Sequence, residues 1–557
     1  MRTRPWEKPH PAFLLVFLFL LLLFYLPVGA VLFRGLFPQG HFSASSLLET
    51  VGSPYLLRVL GFTFLQALLS TLFSLCLGLP GAYLLTVYEF PGRKLVKALS
   101  GVPFVLPPIL VVLGFVIFFG NNGLLNTFLM GLFRLQDPPL RVLYSLRAII
   151  LAHGFYNFPI ALRIVSGLWR SLPPSQEWAA RTLGAKGLRL FFTITLPQLL
   201  PAILAAAALI FMFCFTSFAV ILVLGGGPQF TTIEVEIYRL ARTSLDIPAA
   251  GALSVMAITI TLGMMFFYIK IQNRLSFHQQ LSTEGVHRTP RKAGGLRRFG
   301  ILLYVLFMLF VVAGPLLGVV FRSFQMPVSR AGSLEMTFEW YRRLFSGGEG
   351  QFARMALPAV RNSLLIGLGA AVGAVLIGTA VSYVTVRYRF RFGTLLDTLA
   401  MAPMSVSSVI LGLGYFLLLQ QLPRMRHGSV LMILAAHAVI AYPFVVRTVT
   451  TVLRKLSPNQ LYAAMLLGAP PGRVFRTVEL PVLLPSIAAA AAFAFAISMG
   501  EINATLLFSS STITIPLAVY RMIGSYNFFG ACALGTLLIL VCTAVFALFD
   551  MFGETEI

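Results

Sequence analysis

Two stretches of this chain are one stretch written twice. Glu177 to Pro201 reads EWAARTLGAKGLRLFFTITLPQLLP, and Leu461 to Pro485 reads LYAAMLLGAPPGRVFRTVELPVLLP. Aligning Ala179-Ala180 with Ala463-Ala464 also aligns Gly184 with Gly468, Ile194 with Val478, Leu196-Pro197 with Leu480-Pro481 and Pro201 with Pro485, every pair 284 positions apart. A lone Ala-Ala or Leu-Pro carries no information. A polar, basic segment recurring at fixed spacing between apolar runs marks a duplicated architecture.

The duplication reaches further. His153, Pro159 and Arg163 match His437, Pro443 and Arg447, again 284 apart. Upstream, Pro103 and Gly114 match Pro403 and Gly414 at a spacing of 300, so the first half carries about sixteen extra residues in the loop after its third span. Downstream, Tyr238-Arg239 matches Tyr520-Arg521 at 282.

Locally, each copy predicts a short helix, a turn at the glycine, and a second short helix ending at Leu-Pro. Ala179, Ala180, Ala463 and Ala464 leave little bulk, so another surface can approach the backbone. Gly184 and Gly468 permit a change of direction that a Cβ would resist. Pro197 and Pro481 suit the first turn of the next membrane helix, where a missing N–H does no harm.

Of the 557 residues, 58% are hydrophobic and 11% charged, and the mean hydropathy is +0.87. A soluble core of that composition would lack polar surface, so the chain reads as an all-α polytopic membrane protein. The net charge of +24 is scattered between apolar runs, without zinc spacing or basic-aromatic motifs, which argues against nucleic acid as a partner and for the lipid bilayer. The four cysteines (Cys76, Cys214, Cys532, Cys542) lie in apolar runs and suggest neither a disulfide framework nor a metal site.

Twelve spans are expected, at 11–33, 59–87, 95–119, 143–169, 198–224 and 247–271, then 299–321, 362–386, 395–419, 429–452, 483–508 and 527–549. They divide the chain into a first repeat (1–275), a basic linker (276–298) and a second repeat (299–557). Six spans per half give two parallel pseudo-symmetric repeats. With both termini in the cytoplasm, all seven lysines fall at cytoplasmic ends or loops, and roughly 25 of the 42 Lys+Arg lie inside against about 16 outside. Both duplicated segments and the linker then face the cytoplasm.

No Walker A sequence, HExxH or G-x-S-x-G elbow occurs, so the chain reads as a transport subunit and not an enzyme, with no cofactor of its own. Glu501, in FAISMGEINATLLF, is the most informative carboxylate, because an ionised group inside a span is costly. Two readings stand beside each other: Glu501, Asn503 and Thr505 line a path, or they hydrogen-bond helices together. The counterpart of Glu501 in the first half is Ser217. His153 and His437 lack neighbouring ligands at metal spacing, which favours interhelical hydrogen bonds. Pro103, Pro107 and Pro108, with Ser405, Ser407 and Ser408, predict broken third and ninth spans.

The duplicated segments resemble the cytoplasmic coupling loop of binding-protein-dependent ABC importer permeases: Glu-Ala-Ala, three residues, Gly, nine residues, Ile-x-Leu-Pro. Trp178 and Tyr462 stand where that family usually has glutamate, and Glu177 lies one residue early. The Gly-Glu-x-x-Ala-Thr-Leu stretch at Glu501 is similar to that of molybdate, sulfate and iron permeases. The run LGGGPQFTTIEVEIYRLARTSLD (224–246) resembles the loop between the fifth and sixth helices of ferric-iron and thiamine permeases, some of which are fused in the same 6+6 plan.

The resemblance implies a type I ABC importer permease fold. It also implies two copies of a cytoplasmic ABC ATPase that use ATP, an extracytoplasmic binding protein that delivers ferric iron, thiamine or another small substrate, and the bacterial inner membrane. On this reading Ala179, Ala180, Gly184, Arg189, Pro197 and their partners Ala463, Ala464, Gly468, Arg473, Pro481 couple to the ATPase. External arginines such as Arg134 and Arg342 are candidates for docking the binding protein. The alternative, a twelve-helix secondary transporter driven by protons or sodium with Glu501 as its coupling site, has no need of the repeated segment.

Overall fold

The computed structural model describes residues 12–38, 40–101, 106–281, 290–327, 334–346, 350–388, 393–421, 429–509 and 511–553. Pro103 lies outside them. Eleven described helices are long and apolar enough to cross a membrane, and a bent pair makes a twelfth. In order they are α1 (Val16–Leu36), α2 (Pro54–Val87), α3 (Pro108–Phe133), α4 (Leu146–Ser171), α5 (Gly187–Phe215) and α6 (Ile247–Ile271). The second half contributes α7 (Leu296–Ser323), α8 (Phe352–Arg387), α9 (Asp397–Met404 with Ser408–Gln421), α10 (Val430–Lys455), α11 (Pro471–Gly500) and α12 (Phe528–Val545). The ninth span is broken as expected, with a bend of 95° between its two pieces.

The third, fifth and eleventh spans differ from expectation: α3 begins only at Pro108 and runs on to Phe133, and the other two start early. The fifth and eleventh begin less than one turn past the glycine, at Gly187 and Pro471, and end at Phe215 and Gly500. Pro197 and Pro481 are therefore not at a helix start. Each follows a π-turn, Phe191–Thr195 or Phe475–Glu479, closed by Leu196 N–H donating to Phe191 O and Leu480 N–H to Phe475 O. An interior proline removes one rung of the ladder and pushes on the carbonyl four residues back; one extra residue in the turn relieves both. The same device occurs twice more, with Leu21–Tyr25 before Pro27 in α1 and Leu309–Ala313 before Pro315 in α7.

Those last two prolines mark how the halves join. Helix α1 belongs to the first half by sequence but packs on α9, where a Cβ on Gly414 would collide with the Pro27 carbonyl. Tyr415 Oη donates to Leu23 O at 2.8 Å, and Tyr25 Oη to Leu399 O at 2.7 Å. Reciprocally, α7 packs on α3, where a Cβ on Gly114 would sit 3.0 Å from Pro315 Cβ. The two repeats thus exchange their first helices. Within each repeat the second and fourth spans pack closely: a Cβ on Gly78 would meet Ala161 and the Phe158 carbonyl, and one on Gly378 would meet Val445 and the Tyr442 carbonyl.

Candidate functional site

Each duplicated segment opens with a short helix, Ser175–Thr182 or Pro458–Leu466. Both helices stop the same way. Ala185 N–H donates to Ala180 O at 2.9 Å and Gly184 N–H to Arg181 O at 3.0 Å. In the second copy Ala469 N–H donates to Ala464 O at 3.1 Å and Gly468 N–H to Met465 O at 2.9 Å. This is a Schellman termination, which needs a left-handed residue just past the helix. Gly184 takes φ +86° and Gly468 φ +83°. A Cβ at either would meet nothing within 4 Å, so the glycines serve the backbone angle and not close packing.

The termination turns a specific face outward. Leu183 is 89% exposed and Leu467 88%, and Thr182 and Leu466 beside them are exposed as well. Ala179 and Ala463 are exposed, Ala464 is half-buried, and Ala180 is buried, where its carbonyl anchors the turn. Arg189 and Arg473 are exposed and make no ion pair with any described residue. The two segments follow α4 and α10, six spans apart, and so emerge at the same end of the bundle. Sequence reasoning missed Leu183 and Leu467, although they too stand 284 apart.

Behind each segment the halves diverge. In the second, Arg387 at the end of α8 meets Glu479 of the π-turn at 2.6 Å, both buried. The corresponding first-half positions are Val87 and Thr195, and Thr195 Oγ1 instead donates to Glu177 Oε1 at 3.2 Å.

The second region of interest is the seam between halves. After α11 the chain breaks at Glu501 and resumes as Asn503–Phe508. Glu501 is 8% exposed and accepts from Ala504 N–H at 2.9 Å, capping that short helix. Asn503 Nδ2 donates to Ser408 Oγ at 3.0 Å. Thr505 is fully buried and bonds His437 Nε2 at 2.9 Å, while Ser498 holds His437 Nδ1 at 2.8 Å. In the first half Ser217 bonds His153 Nε2 at 2.8 Å and Ser70 its Nδ1 at 3.1 Å. Both histidines therefore tie the fourth span of their half to the chain after it. Among the described residues no three His, Cys, Asp or Glu side chains gather as a metal site.

One residue of the seam was not singled out from the sequence. Glu234 lies on Ile233–Arg242, a helix between α5 and α6 that is not itself a span. Its Oε2 accepts from Ser407 Oγ at 2.7 Å, beside Ser408 at the break in α9. Glu234 is buried and its Oε1 has no partner among the described residues. Burial pushes its carboxyl up to about 8, against the Ser407 hydroxyl, which pulls it down. The position of this helix repeats: Ile233 N–H donates to Thr63 Oγ1 at 3.1 Å, and Ile515 N–H to Ser363 Oγ at 2.8 Å. A carboxylate on the amphipathic run IEVEIYRLAR was the available signal, but Glu236 beside it offered the same one; the counterpart of Glu234 in the second half is Pro516.

Two interleaved six-helix halves, a polar seam between them and twin turned segments at one end define a membrane transport permease. Residues 74–277 and 374–554 match the family described as binding-protein-dependent transport system inner membrane component. The chain belongs to this family, with two copies of the unit on one polypeptide. It is 30% identical to the thiamine transport system permease protein ThiP of Brucella abortus, over 92% of this chain and 90% of that protein. It is 26% identical to the ferric transport system permease protein FbpB of Actinobacillus pleuropneumoniae, over 98% of this chain and 78% of that protein. Among solved structures it is similar to a bacterial alginate ABC transporter in complex with a periplasmic protein, 19% identical with a TM-score of 0.40, covering 49% of this chain and 95% of that one.

Proposed function

We propose that the twin segments are footings for two copies of an ABC ATPase, which bind below the membrane with both chain termini on the same side. The observation that carries this reading is the pair of Schellman-terminated helices that hold Leu183 in one copy, and Leu466 and Leu467 in the other, almost wholly in solvent. An exposed leucine on a segment that also exposes an arginine, Arg189 or Arg473, suits a protein surface better than water. Closure of the ATPase dimer on ATP draws the footings together, and α5 and α11, continuous with them, carry the motion to the seam. Both conformations then bind the ATPase differently, which is what coupling requires.

On this reading ATP is used by the partner, and this chain holds no cofactor. An extracytoplasmic binding protein docks on the opposite face and releases a small cation, of the thiamine or ferric class that the relatives' names carry. Glu234 and Glu501, attached to either half of the seam, suit a cation that displaces the proton burial favours on Glu234. The test is reconstitution with the cognate ATPase. Leu183→Asp with Leu467→Asp is expected to abolish co-purification of the ATPase and ATP-dependent uptake together. Uptake by the chain alone, or an ATPase that stays bound to the double variant, overturns the reading.

A further inference from the structure

The first half keeps a cavity where the second half has an ion pair. Val87 and Thr195, the counterparts of Arg387 and Glu479, line a space of about 1040 Å³ between α2, α4, α5 and the chain that leads into α7. Four cations stand around it, Arg181, Arg291, Lys292 and Arg297, against one carboxylate, Glu177. None of the four makes an ion pair with a described residue.

The inter-repeat linker supplies three of those cations, and it is held in place. Tyr88 and Glu89, just past α2, pair in parallel with Arg291 and Lys292. Ala293 is buried beneath, and the Arg297 guanidinium lies 6.0 Å from the centre of the Tyr88 ring. Aromatic side chains form the wall. Tyr83 packs edge-on against Tyr88 and tilted against Trp169, and the two tyrosine hydroxyls lie 3.1 Å apart.

The cavity continues into the membrane-facing surface. A groove of about 660 Å³ between α2 and α7 shares Pro80, Tyr83, Tyr88 and Arg297 with it, and is otherwise lined by apolar residues such as Leu84, Ile301 and Phe307. Cations and aromatic rings at the head, and an apolar groove along two spans below, match the two ends of one kind of molecule. Basic recesses between spans at the membrane surface take anionic lipid headgroups, and aromatic rings settle at that depth.

We propose that this recess binds an anionic phospholipid of the cytoplasmic leaflet, with its phosphate among Arg291, Lys292 and Arg297 and an acyl chain in the α2–α7 groove. The leaflet rests on the orientation proposed above; the binding itself does not. Because Glu177 and Arg181 belong to the first footing, the lipid props that footing as Arg387 and Glu479 prop the second from within.

The experiment is native mass spectrometry of the full chain with its ATPase, taken from vesicles of equal parts phosphatidylglycerol and phosphatidylcholine. The wild type is expected to retain phosphatidylglycerol selectively. Arg291→Ala with Lys292→Ala is expected to cut retention on the order of tenfold. Arg454→Ala with Lys455→Ala, an equal loss of charge elsewhere, is expected to leave it intact. Gly300→Trp places an indole in the groove, where a Cβ meets nothing within 4 Å, and is expected to abolish retention. Equal retention of both lipids by the wild type, equal loss in the two charge variants, retention by Gly300→Trp, or displacement of the lipid by inorganic phosphate would each overturn the proposal. Loss of the ATPase during purification bears on the functional reading alone.

Discussion

Ser407 donates its hydroxyl proton to Glu234 across 2.7 Å, and the two residues come from opposite repeats. Its neighbour Ser408 accepts from Asn503, of its own repeat, at 3.0 Å. The break in α9 is thus where a first-half carboxylate and the Glu501–Asn503 turn meet consecutive residues. On the function proposed above, opening a path between the halves would part Ser407 from Glu234.

Burial raises the Glu234 carboxyl to about 8, so the folded chain favours its protonated form. The stability this contributes is full below the ordinary glutamate range and is lost as pH rises through about 8. The thermal unfolding midpoint of the wild type should fall from about pH 5 to about pH 9 more steeply than that of Glu234→Gln, which cannot ionise. Parallel slopes in a differential scanning experiment would refute this.

At Gly468 the backbone angle is left-handed and the surroundings are empty, so Gly468→Val acts on the turn alone. The strain is about 1–2 kcal/mol, enough to redirect Leu467 without unfolding a twelve-span bundle. ATP hydrolysis should continue while uptake in vesicles drops several-fold. Gly468→Asn, which tolerates the angle, should retain most uptake.

Removing one member of the buried Arg387–Glu479 pair leaves the other charge without its partner. Arg387→Met should cost about 3–5 kcal/mol of stability. Arg387→Met with Glu479→Leu should recover much of it, because an apolar pair of similar volume is often neutral. Thermal denaturation of the three proteins checks the order, and a double variant as weak as the single one refutes it.

His437 joins α10 to Ser498 and Thr505 through both ring nitrogens. His437→Phe should destabilise by about 1 kcal/mol, the usual scale for hydrogen bonds between membrane helices. Chelators should not reproduce the effect; a destabilisation that EDTA mimics would restore the metal reading.

Much of this was legible in the sequence. Spacing alone matched Gly184 to Gly468, His153 to His437 and Gly114 to Gly414, and each pair occupies equivalent places. The hydropathy gave the number of spans, and the serines of α9 its break. Less legible were the starts of α5 and α11. Pro197 and Pro481 read as helix-starting prolines, and only the π-turns before them show how a continuous helix accommodates them.

The sequence by itself determined the elements and their duplication, because hydropathy, glycine and proline act on residues close along the chain. Tertiary structure alone decided that α1 and α7 change places, that Glu234 reaches Ser407, and that Arg387 finds Glu479 while Val87 and Thr195 border a cavity. Those outcomes join residues some 90 to 390 positions apart. No local preference encodes them; they follow from which apolar faces interlock when the two halves pack.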